Sequence, residues 1–139
     1  MKKVAFICTH NSCRSIMAEG FARHYGKGLI DVYSAGTVKY PKPKPLAIEV
    51  MEDVGIDMSH ARSKLLDEIP PNVEILITMG CGVICPYIPT EHLEDWGIED
   101  PSGGPKSEFE KTRNIIEEKV LDLIERIKND KIKKDLTIF

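Results

Sequence analysis

Cys8 and Arg14 are separated by five residues, Thr9, His10, Asn11, Ser12 and Cys13, and Ser15 follows directly. These residue types at this spacing suit one task, holding a tetrahedral oxyanion against a thiolate. Backbone N–H groups in a tight loop that opens a helix point at an anion, and the helix N-terminus adds positive potential. The Arg14 guanidinium offers a planar fork to two oxygens of a phosphate-like ion. The same field favours thiolate at Cys8, so its pKa is expected below the free value of about 8.5. Asn11 and Ser15 can donate or relay hydrogen bonds within the loop.

Such a loop needs a strand before it and a helix after it. Residues 3–8 read as an apolar strand of the kind buried on both faces of a parallel sheet. Residues 13–25 read as a helix with Ile16, Met17, Gly20, Phe21 and His24 on one side. Residues 29–34 predict a second strand, closed by Ala35, Gly36 and Thr37. The alternating prolines Pro41, Pro43 and Pro45 make a stiff extended loop, one candidate wall of the pocket. A helix is predicted over 46–54, with Leu46, Val50, Met51 and Val54 inward. Ser63 is placed to cap a short helix over 64–69, and residues 73–79 predict a third strand. Residues 87–107 read as irregular, with a short strand within 92–97. A final amphipathic helix is predicted from Ser107 to Asn129, capped by Ser107 with Glu110, its stripe being Ile115, Ile116, Val120, Leu123, Ile124 and Ile127. Trp96 reads as a packing anchor, and His24, His60 and His92 as surface or structural residues.

Alternation of strands and helices predicts an α/β fold with a parallel sheet. Ligands in such sheets bind beyond the carboxyl ends of the strands. The Cys8 loop, Ser34 to Gly36, and the segment from Cys81 all follow strand ends, so they are expected at one edge.

The 139 residues are 42% hydrophobic and 29% charged, which suits one domain over 1–139. A net charge of −3 without a basic stripe argues against general nucleic-acid binding. No apolar run approaches the roughly 20 residues of a membrane span, and the start reads as a strand rather than a cleavable signal. The cytoplasm and a monomer are the expectation. Four cysteines, Cys8, Cys13, Cys81 and Cys85, then read as catalytic, redox-active or metal-binding thiols. Their spacing is poor for zinc, and no metal is assigned.

Taken in order, residues 8–21, Tyr33 to Thr37, Gly55 to Ser59 and Asp95 to Pro101 resemble the arsenate reductases built on the low-molecular-weight protein tyrosine phosphatase fold. The resemblance covers nearly the whole chain. It implies a three-layer fold, a four-stranded parallel sheet flanked by helices on both faces. It also implies a reaction. Cys8 attacks arsenate, Asp100 supplies a proton, and Cys81 then attacks the Cys8 sulfur so that arsenite leaves. Cys85 passes the disulfide outward to Cys81–Cys85, thioredoxin or a similar dithiol carrier reduces it, and no organic cofactor is needed. Residues four apart on a helical turn lie roughly 6 Å apart, within disulfide range. The order of exchange between Cys81 and Cys85 stays open.

His10 stands where many relatives have glycine; its imidazole is read as facing solvent, with tuning of the site's charge as the alternative. Some relatives hold potassium beside the loop. The matching positions here are Asn11, Glu19, Ser34 and Lys64, the last an aspartate in potassium binders, so an ammonium paired with Glu19 is expected in the cation's place. Cys13 reads equally as a packed side chain or as a partner for Cys8 in a protective disulfide. Two rivals remain: a phosphatase using Cys8, Arg14 and Asp100, and a non-catalytic oxyanion or redox sensor.

Overall fold

Lys2–Cys8 forms β1, whose last five residues are all buried. It is the chain's most continuous apolar run, and it takes a central position because only there are both faces of a strand covered. The computed structural model describes residues 2–11, 13–38, 42–59, 61–80 and 90–129. Along it follow α1 (Arg14–Tyr25), β2 (Ile30–Gly36), α2 (Pro45–Glu52), a 3-10 turn (Leu66–Glu68), β3 (Ile75–Thr78), β4 (His92–Asp95) and α3 (Lys106–Lys128).

The sheet is parallel throughout, in the order β2-β1-β3-β4. The registers pair Cys8 with Gly36, Ile7 with Thr78 and Thr78 with Asp95. All four strands therefore end at one edge. The order reverses at β1, which puts the switch point between β1 and β3, directly above Cys8.

Nine consecutive residues of α1, Arg14 to Ala22, are buried. A one-sided stripe was expected, but α1 lies between the sheet and the other two helices, so most of its circumference is covered. His24 is exposed. The larger core joins Val4 and Phe6 of β1 to all three helices, while Ala5, Ile7, Ala35 and Leu76 make a smaller core with Ile69 and Val73 on the opposite face. Trp96 packs its ring 5.7 Å from that of Phe6.

Several expected boundaries shift. Proline, not serine, opens the later helices. Pro45 is the first residue of α2, and Pro105 caps α3, its carbonyl accepting from Glu108 N at 3.0 Å. Ser107 lies inside the helix and is not its cap. The α3 stripe is Phe109, Thr112, Ile116, Val120, Leu123 and Ile124, with Ile115 on the exposed side. Helix α2 stops at Glu52, which leaves Val54 exposed. The helix expected over 64–69 shrinks to the 3-10 turn. Lys64 carbonyl accepts from Gly36 N at 2.8 Å and Leu65 bridges to Gly36, so tertiary pairing draws this chain out straight. Glu68, not Ser63, caps the turn, accepting from Leu65 N at 2.9 Å. Among the described residues Ser63 Oγ has no hydrogen-bond partner.

The edge strand β4 is fastened to α3 by Glu94. It accepts from Arg126 at 2.6 and 3.1 Å and from Trp96 Nε1 at 2.9 Å, with His92 Nε2 at 2.7 Å. Burial opposes ionisation of Glu94, but these hydrogen bonds prevail and hold its pKa at about 2, against an ordinary 4.5. A depressed carboxylate stabilises the fold above its unfolded pKa, and that contribution is lost as pH falls from 4.5 toward 2. The linkage is worth roughly 3 kcal/mol. Glu94→Gln is expected to cost roughly 2–3 kcal/mol at pH 7 and to flatten the acid limb of Tm against pH, as measured by thermal melts between pH 2 and 7.

Candidate active site

The loop from Cys8 to Arg14 leaves β1 and turns back into α1. Asn11 adopts φ 52°, the left-handed turn that asparagine tolerates. The loop lies flat against Gly36 of β2. A Cβ at Gly36 would fall 2.7 Å from His10 C and Thr9 O and 2.8 Å from Asn11 N, all backbone atoms, so only glycine fits. Thr9 carbonyl accepts from Thr37 N and Val38 N at 2.8 and 2.9 Å, which pins the loop's outer side.

Cys8 Sγ lies 2.8 Å from Ser15 Oγ, and both are buried. The neighbours leave the Ser15 proton available for this bond. Lys64 N–H donates to Asn11 Oδ1 at 2.8 Å, which fixes the Asn11 amide. Its Nδ2 then donates to Ser15 Oγ at 2.7 Å and to Ser34 Oγ at 3.0 Å. Ser15 accepts from Asn11, so its own proton is free to point at Cys8. Ser34 in turn donates to Glu19 Oε1 at 2.8 Å. A buried carboxylate thus orients, through two side chains, a hydroxyl donor for a thiolate. Ser15→Ala is expected to slow alkylation of Cys8 by iodoacetamide at neutral pH, read by mass spectrometry.

Glu19 is only 6% exposed, and its charge is matched by Lys64 Nζ at 3.4 Å and Arg23 Nη2 at 3.0 Å. Burial pulls the Lys64 pKa down, and Glu19 offsets that only in part. Asn11, Glu19, Ser34 and Lys64 therefore share one network. A cleft of about 470 Å³ opens onto it between Glu19, Arg23, Met58 and Lys64.

Arg14 is 6% exposed. Its Nη1 donates to Met79 O and Ile98 O, both at 2.9 Å, and its Nη2 lies 3.9 Å from Asp100 Oδ2. Neither carbonyl is foreseeable from residue type, since any residue supplies one. Burial raises the Asp100 pKa. Hydrogen bonding to Ser102 and the charges of Arg14 and His10 outweigh it, so the carboxyl sits below its ordinary value. His10 is half-buried and its charge reaches Asp100, which favours the charge-tuning alternative over a ring that only faces solvent. Cys13 is buried in the larger core. Burial first, then the charges of Asp100 and Cys8, push its thiol far above the ordinary range, so it stays protonated and weakly nucleophilic. Ser12, Cys81, Cys85 and His60 lie outside the described residues.

The model of the low-molecular-weight phosphotyrosine protein phosphatases matches residues 3–133. The chain belongs to this family. Among curated relatives, the glutaredoxin arsenate reductase of Synechocystis is 42% identical over 131 residues, 91% of this chain and 99% of that one. The arsenate reductase of Staphylococcus aureus strain Newman is 44% identical over 119 residues, 83% of this chain and 90% of that one. A solved arsenate reductase in a phosphate-binding state superposes with a TM-score of 0.84 at 42% identity, covering 91% of this chain and 99% of that one. The family assignment agrees with the four-stranded parallel sheet and with a loop built between β1 and α1. Within this phosphatase family member, Cys8, Arg14, Ser15 and Asp100 meet at the switch point, while Cys13 faces the core.

Proposed function

We propose that the chain reduces arsenate to arsenite, with Cys8 as nucleophile and Cys81 and Cys85 as relay thiols, within one domain over 1–139. The observation that carries this reading is the Arg14 contact to Met79 O. Met79 stands two residues before Cys81 in the sequence, which supports Cys81 as the relay thiol. Phosphate-ester hydrolysis has no use for two such cysteines.

The chemistry balances with three thiols. Cys8 thiolate attacks arsenic(V), an As–S bond forms, and an arsenate oxygen leaves as water once protonated. Asp100 is held below its ordinary pKa by Ser102, Arg14 and His10 against its burial. It is therefore ionised at neutral pH in the empty site, and the proton enters with the oxyanion. An anion drawing on Arg14 weakens Arg14's hold on Asp100 and repels its charge, so Asp100 takes up that proton and returns it to the leaving oxygen. Cys81 thiolate then attacks Cys8 sulfur. The S–As electron pair passes to arsenic, arsenite departs, and Cys85 moves the disulfide to Cys81–Cys85. A dithiol carrier supplies the two electrons. Thioredoxin is the carrier implied by the resemblance, and the name of the Synechocystis relative brings in glutaredoxin. No described helix is long and apolar enough to cross a membrane.

The deciding experiment compares arsenate with p-nitrophenyl phosphate, with thioredoxin or glutaredoxin systems present or absent. Cys81→Ser is expected to stop arsenate reduction and spare phosphatase turnover. Strong phosphatase activity with no arsenate reduction in the intact chain would favour hydrolysis instead, for which Asp100 beside Arg14 is the supporting geometry.

Lys64 Nζ lies 3.4 Å from Glu19 Oε1, which supports an ammonium in the place where the resemblance puts a monovalent cation. Replacing sodium by potassium is therefore expected to leave steady-state activity unchanged. Lys64→Asp is expected to introduce potassium dependence. A several-fold rise with potassium in the unmodified chain would contradict this role for Lys64.

A further inference from the structure

The exit of β3 and the loop carrying Asp100 touch backbone to backbone. Gly80 has φ +76°, and a Cβ placed on it would lie 2.6 Å from Gly97 Cα, 2.9 Å from Gly97 C and 3.0 Å from Ile98 N. All three are main-chain atoms, so no side-chain rotation relieves the clash. The two segments are laced by Trp96 N–H to Thr78 O at 2.9 Å and Ile98 N–H to Met79 O at 3.2 Å. Arg14 Nη1 joins them again through Met79 O and Ile98 O, both at 2.9 Å. A guanidinium Nη carries two hydrogens. Those of Nη1 are both taken by carbonyls, so the pair left to grip an oxyanion side-on is Nε–H and Nη2–H. The bidentate edge of the fork is thereby selected, and its Nη2 end faces Asp100.

We propose that Gly80 is a positioning residue for the oxyanion: with no side chain between β3 and Gly97, the Met79 and Ile98 carbonyls converge on one nitrogen of Arg14, which orients the fork and links anion occupancy to the loop that carries Asp100. This rests on the oxyanion-binding reading above. An added methyl at Gly80 moves Ile98 away from Met79, and one Arg14 N–H loses its acceptor. The guanidinium can then turn, and its anion-gripping edge is no longer held.

The test is calorimetric titration of the reduced, full-length protein with inorganic phosphate. Gly80→Ala is compared with Gly55→Ala, whose φ is +80° and whose added Cβ meets nothing within 4 Å. Both substitutions carry the left-handed backbone cost, but only the first carries the clash. Loss of one hydrogen bond to a charged group is expected to raise the phosphate Kd about tenfold or more in Gly80→Ala, with Gly55→Ala near wild type. Equal affinity in the two variants overturns the proposal. A second measurement, on the unmodified protein, stands whether or not Gly80→Ala folds. Saturating phosphate is expected to slow hydrogen exchange at the Ile98 amide, and unchanged exchange there also overturns the proposal. Failure of the unmodified protein to bind phosphate would instead bring down the oxyanion reading itself, and this inference with it.

Discussion

Cys8→Ser is expected to lower arsenate turnover by on the order of 10⁴-fold or more, to background, with little change in Tm. The buried hydroxyl chain shows why. Ser15 Oγ lies 2.8 Å from Cys8 Sγ and accepts from Asn11, which leaves its own proton for the sulfur. That arrangement offers a donor to a charged sulfur. It offers no base to a serine, whose hydroxyl stays protonated at neutral pH. Cys13 cannot substitute, because it is buried in the core with its thiol pushed up by that burial and by neighbouring charge. Single-turnover release of arsenite, with p-nitrophenolate absorbance in parallel, checks the prediction. Both activities are lost in Cys8→Ser, whereas Cys81→Ser loses only the first. Arsenate reduction surviving in Cys8→Ser would remove Cys8 from the nucleophile's role.

Arg14→Lys is expected to reduce kcat/KM by about 10²–10³-fold, despite keeping the charge. One ammonium cannot donate to Met79 O and Ile98 O while also presenting a two-pronged edge to an oxyanion. Whichever task it keeps, the other is lost. Leaving the Ile98 carbonyl without this donor costs about 1–3 kcal/mol of stability as well, whereas Met79 O keeps the Ile98 N–H. The phosphate inhibition constant and a thermal melt separate the two losses. An unchanged inhibition constant would mean that loop N–H groups alone hold the anion.

The elements most legible in sequence are those whose neighbours are local. Residues 4–7 are apolar on both faces, which demands a central strand, and the polar run from Cys8 into a helix marks an anion loop. Glu19, Ser34 and Lys64 were found through resemblance to a family, position by position. Composition alone does not single them out. Misread boundaries share a different cause. Ser63 and Ser107 carry capping side chains, yet backbone pairing to Gly36 and the fixed φ of Pro105 decide where chain direction changes. Ile115 sits beside the apolar stripe of α3, but the stripe is only as wide as its contact with α1 and α2, so Ile115 stays exposed. For His10 the sequence leaves solvent-facing and charge-tuning readings both open, because it does not reveal that Asp100, ninety positions away, lies within reach of its charge.

Residue type and spacing by themselves determined the kind of ligand: a thiol, an arginine and a polar loop between strand and helix define a site for a tetrahedral oxyanion. They also determined the parallel sheet, since alternating strands and helices leave few other ways to bury their apolar faces. Tertiary structure alone decided how the arginine is aimed. Its acceptors are main-chain carbonyls of Met79 and Ile98, sixty-five and eighty-four positions away. Carbonyls carry no residue-type signal, and it is the close approach of Gly80 to Gly97 that lets the two segments pair there.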